Sequence, residues 1–111
     1  MTATVNKLHQ QAQQAMKNAQ YQLAHKYIIQ LLSIDKQFAD GYFLLAMIAS
    51  THQNNAKAIE LINHALKIEP TNSEYNAYLA KNYALLNEHV LAKEFADKAQ
   101  KECPKSAQVW D

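Results

Sequence analysis

Apolar positions along the chain recur at three- and four-residue intervals in six stretches, with short polar segments between them. The pattern is clearest in the middle. Tyr42, Leu45, Ala46 and Ala49 form one stripe, and Ala58, Leu61, Ile62, Ala65 and Leu66 form the next. Such spacing returns a side chain to the same face at every helical turn, so each stripe marks a helix with one buried face. Between these two stripes, His52, Gln53, Asn54 and Asn55 are polar and can turn the chain. Asn54 is placed to cap the second helix by accepting a hydrogen bond from one of its free backbone N–H groups. The whole pattern predicts helices near 4–17, 21–34, 38–51, 55–68, 72–85 and 89–102, and the start of a seventh. Pro70 and Pro104 disfavour helical backbone at Glu69 and Cys103. Thr71 followed by Glu74 reads as a capping box, and Ser106 is placed to cap a fragment carrying Trp110.

The stripes repeat. Pro70 and Pro104 lie 34 residues apart, as do Leu45 and Leu79, Ala65 and Ala99, and Tyr42 and Asn76. Ala12, Ala46 and Ala80 form one column at that interval, and Ala24, Ala58 and Ala92 form another. The period divides the chain into units near 5–38, 39–72 and 73–106, with a fragment at 107–111. Two antiparallel helices approach closely only where side chains are small, so the alanine columns predict the contact line inside each hairpin. Leucine at position 46 or 58 is expected to overpack that line, costing roughly 1–3 kcal/mol.

This pattern resembles the tetratricopeptide repeat, a 34-residue helix–turn–helix unit. The second unit supplies Tyr42, Leu45, Ala46, Ala58, Ala65 and Pro70; the third supplies Leu79, Ala80, Tyr83, Ala92, Ala99 and Pro104. Departures are Ala49 and Ile62 in aromatic columns, Asn76 in the large-residue column and Ala96 in the second aromatic column. The first unit keeps Leu8, Ala12, Ala24 and Tyr21, but carries Gln11, Leu31 and Lys36 where the family has Leu, Ala and Pro. The resemblance implies an all-α fold. It would be a right-handed superhelical stack of three full hairpins and the start of a fourth, forming one domain over 1–111.

Composition narrows the function without adding chemistry. There is one glycine, Gly41, so glycine-rich phosphate loops are excluded. The single cysteine, Cys103, allows no intrachain disulfide and has no neighbour that would activate it. His9, His25, His52, His64 and His89 show no metal-ligand spacing and read as surface residues. Net charge is +1 with no arginine-rich run, which gives nucleic acid little to bind. No apolar run is long enough to span a bilayer, and the polar N-terminus has no hydrophobic signal core. The expectation is a cytoplasmic interaction module that is not an enzyme and needs no cofactor or metal.

The resemblance also implies where a ligand would sit. First helices line the concave wall of such stacks, which maps the groove to Asn6, His9, Gln13 and Lys17, then Asp40, Phe43, Leu44, Met47 and Thr51, then Glu74, Ala77, Tyr78, Lys81 and Leu85. Its centre is apolar. The family's best-known ligands are peptides whose terminal carboxylate is held by Lys, Asn and Arg. The matching positions here carry His9, Gln13, Leu44, Glu74 and Tyr78, which cannot form that clamp. The implied partner is a peptide or protein segment offering apolar side chains. Phe43→Glu is expected to abolish its capture with helicity intact. The resemblance supports a second reading, an N-terminal accessory domain of a larger bacterial enzyme such as a transferase. The occupant could then be the downstream part of the same chain, and Leu91, Phe95 and Ala99 at an uncapped C-terminal end could support self-association.

Overall fold

The computed structural model describes residues 2–102. Six helices follow one another: α1 (Thr2–Lys17), α2 (Tyr21–Ile34), α3 (Ala39–Thr51), α4 (Asn55–Ile68), α5 (Ser73–Leu85) and α6 (His89–Glu102). They pair in sequence as three hairpins, α1 with α2, α3 with α4, and α5 with α6. Cys103, Pro104, Ser106, Trp110 and the fourth-unit fragment lie outside the described residues.

Caps fix several of the boundaries. The Asn54 side chain accepts from Lys57 N at 3.4 Å and opens α4 as expected. At α5 the expectation needs correcting. The cap is Asn72, not Thr71, and its Oδ1 accepts from Tyr75 N at 3.1 Å. Asn72 also donates to Glu69 Oε1 at 3.0 Å, tying the new helix to the end of the old one. Every hairpin turn holds one residue in left-handed backbone: Ala19 (φ 58°), Gln53 (φ 64°) and Asn87 (φ 63°). These three positions share one column of the repeat, and none is glycine.

Five of the six column alanines are buried, Ala12, Ala24, Ala46 and Ala58 completely and Ala80 with 6% exposed. Ala92 is only half-buried. Ala46→Leu should therefore lower stability by roughly 1–3 kcal/mol, read as a shift in the urea midpoint at unchanged slope. Larger side chains form two linked cores. One joins the second and third hairpins through Phe43, Ile62, Tyr75 and Leu79; the other joins the first and second through Ala12, Ile28 and Leu44. Met47 packs against both. Gly41 serves the second junction. A Cβ there would stand 2.8 Å from Leu32 Cδ2, so the missing side chain lets α3 sit down on α2.

Polar contacts fix the direction of the first helices. His9 of α1 bonds Asp40 of α3, and Asp40 bonds Tyr75 of α5, so the middle of α1 stands beside the N-terminal ends of α3 and α5. Tyr21, where α2 begins, meets His52, where α3 ends, at 5.7 Å between ring centroids. The first helices therefore run parallel, and their inner faces form one continuous wall.

The third hairpin differs on its far side. Ile59, Ile62 and Leu66 of α4 pack into the core shared with α5. The same columns of α6 hold Lys93, Ala96 and Gln100, all exposed. Leu91 and Phe95 are half-buried and Ala99 is buried, because they turn toward α5, where Phe95 stacks on Tyr83.

Candidate functional site: a groove along the first helices

A single groove of about 840 Å³ runs along the wall formed by α1, α3 and α5. Its floor comes mainly from α3, where Phe43, Leu44 and Met47 occupy successive inward positions. Ala77 and Tyr78 extend that floor onto α5, and Met16 extends it onto α1. The α1 wall is otherwise polar, with Gln10, Gln13, Gln14 and Lys17. Asp40 and Glu74 close the groove at one lip, and Lys81 lies toward the other.

Of the residues mapped from sequence, the structure brings together Gln13, Lys17, Asp40, Phe43, Leu44, Met47, Glu74, Ala77, Tyr78 and Lys81. Four do not line the groove. Asn6 is exposed in the first turns of α1. Leu85 is the last residue of α5 and stands 55% exposed beyond the cavity. His9 turns aside, and its ring packs edge-on against Phe38 at 5.0 Å while Nε2 bonds Asp40 Oδ2. It is half-buried and partnered, unlike the surface residue expected. Thr51 also lies outside; its hydroxyl donates to Met47 O at 2.8 Å.

Gln10, Gln14 and Met16 were missed. Gln10 was within reach, because it stands in the column of Leu44 and Tyr78, one repeat earlier. Phe43 plays a different part from the one expected. Only 5% of it is exposed, and it packs on Tyr75 at 4.7 Å and on Tyr78 at 5.3 Å between centroids. It forms the floor from beneath, as core.

Asp40 is held from two sides at the acidic lip. Oδ2 takes the bond from His9, and Oδ1 accepts from the Tyr75 hydroxyl at 3.2 Å. Burial of the Tyr75 phenol, reinforced by the negative charge of Asp40, raises its pKa well above the usual tyrosine range. Tyr75 therefore stays a donor, and the Asp40 carboxylate keeps a fixed orientation. Among the described residues, no three His, Cys, Asp or Glu side chains gather as a metal site, and no helix is long and apolar enough to cross a membrane.

No family model matches the chain, and neither does any curated protein. Solved structures do match. Part of the Thermobaculum terrenum O-GlcNAc transferase aligns with a TM-score of 0.88 at 17% identity, over 93% of this chain and 20% of that one. The Yersinia enterocolitica type III secretion chaperone SycD, in complex with a peptide of the translocator YopD, aligns at 0.87 and 16% identity, over 98% and 86% of the two chains. The TPR2B domain of yeast Sti1, in a pHsp70 complex, aligns at 0.86 and 16% identity, over 96% and 85%. The fold is thus the tetratricopeptide-type stack of helical hairpins, and this chain spans only a fifth of the transferase it resembles.

Proposed function

We propose that this chain is a protein-interaction module that binds a peptide or protein segment in the groove of α1, α3 and α5. The observation that carries this reading is an apolar floor on α3 and α5, where Met47 and Tyr78 are half-exposed beside the buried Leu44. A floor of this kind favours side chains that leave water on binding. Met47 suits it to more than one partner, because an unbranched thioether adapts its shape. The neighbours solved with a YopD peptide and with pHsp70 support the same use of the fold. Glu74 at the lip argues against a terminal carboxylate as the group recognised.

A second reading has one observation in its favour. The transferase match places a stack of this shape inside a much longer enzyme. On that reading the groove receives substrate or the rest of its own chain, and catalysis belongs to another domain.

Met47→Glu tests the groove. Met47 is half-buried at the floor, so a carboxylate there keeps access to water, unlike one at Phe43. Peptides selected on the wild type should bind the variant at least about tenfold more weakly, a loss of roughly 1.4 kcal/mol. The far-UV circular dichroism should stay the same. Equal binding by the two proteins would place the ligand elsewhere.

A further inference from the structure

The charges of the groove are sorted by row. Asp40 and Glu74 occupy one column of the repeat and stand together at the N-terminal lip. Lys17 and Lys81 stand toward the C-terminal ends of α1 and α5. Since the first helices are parallel, these are opposite edges of one trough, with Leu44 and Tyr78 between them and Met47 level with Lys81 in the repeat. Lys17 and Glu74 are exposed, and neither side chain makes a hydrogen bond or ion pair with another described residue. Lys81 is held with Nζ 5.3 Å from the Tyr78 ring centroid, which keeps its charge against the trough wall. A net charge of +1 conceals this separation.

The trough also has a width. Glu74 and Lys81 lie seven residues apart on α5, about 10.5 Å along its axis at 1.5 Å per residue. An α-helix with its side chains is about 10–12 Å across. An extended strand fits the charges less well, because its side chains alternate between opposite faces. With one face on the floor, the other points away from both lips.

We propose that the occupant is an amphipathic α-helix lying across α1, α3 and α5. Its apolar stripe sits on the floor. Lys or Arg along one edge faces Asp40 and Glu74, and Asp or Glu along the other faces Lys17 and Lys81. This rests on the groove reading above and specifies its ligand. A helix charged alike on both edges meets its own sign at one lip, and that juxtaposition selects against it. Turning a helix end for end exchanges its edges, so the same charges set the direction in which the ligand runs.

Three synthetic peptides with one shared apolar stripe test the proposal by fluorescence anisotropy. One carries Lys on one edge and Glu on the other, one carries Lys on both, and one carries Glu on both. The mixed peptide should bind wild type about fivefold more tightly than either of the others, the scale of one or two exposed ion pairs. Lys81→Glu should move the preference to the all-basic peptide, and Glu74→Lys should move it to the all-acidic one. Both positions are exposed, so helicity should be unchanged in each variant. If the three peptides bind wild type within about twofold of one another and Met47→Glu weakens all of them, the charge proposal is overturned and the groove reading stands. If none binds, or Met47→Glu has no effect, both fall.

Discussion

Phe43→Glu should unfold the middle of the stack rather than merely empty the groove. Phe43 is 5% exposed and belongs to the core that joins the second and third hairpins. Removing a buried phenylalanine side chain costs about 3–5 kcal/mol. A glutamate in its place must also lose its hydration or take up a proton, which adds to that loss. The sum is a large part of the 5–15 kcal/mol typical of a domain. Thermal unfolding followed by circular dichroism should show loss of the cooperative transition, or a steep fall in its midpoint. A variant that kept its helicity and midpoint would mean that Phe43 faces solvent. Met47→Glu is therefore the cleaner probe of binding.

Leu79→Ala is expected to have the next largest effect. Leu79 is fully buried on α5, against the residues through which α3 and α4 meet the third hairpin. Leucine-to-alanine changes at such sites cost about 2.7–5.0 kcal/mol, the spread reflecting how far the cavity collapses. Each kcal/mol corresponds to about 4 °C of Tm at this chain length. Alanine keeps the helix propensity of leucine, so a loss reports packing rather than helix formation. Each hairpin contacts only its neighbours, so the damage should concentrate at the junction of the second and third. Hydrogen exchange should then show α5 and α6 losing protection before α1 and α2. Uniform loss across all six helices would indicate one indivisible cooperative unit instead.

The helices were legible because their signal is repeated. The ranges expected for the second helices of the three hairpins coincide with α2, α4 and α6. α3 and α5 begin one residue later than expected, because Phe38 and Asn72 serve as N-caps outside the helix. The alanine columns announced the buried seam of the first two hairpins for a physical reason: small side chains let two helices pack closely. The groove was harder to read. Position in a column says which way a residue points, but not how deep it lies, so Phe43 and Met47 looked alike from sequence. The α1 face was misjudged because pairwise chemistry pulled His9 aside, toward Asp40 and Phe38. Asn82 gave no warning at all. It is completely buried, with Nδ2 donating to Tyr78 O at 2.9 Å, and composition treats it as a surface amide.

The left-handed turns have a bearing on how this protein could change over time. A residue with a Cβ gives up roughly 1–2 kcal/mol in that conformation, asparagine somewhat less than others. Ala19, Gln53 and Asn87 each accept it, and none of them lines the groove. Glycine at 19 or 53 would relieve that strain without altering a single contact in the trough, though it would also loosen the unfolded chain. The stack thus has a route to greater stability that is separate from its binding surface. Lineages carrying it could absorb costly substitutions along α3 and α5, and with them explore new ligands, while the scaffold stays folded.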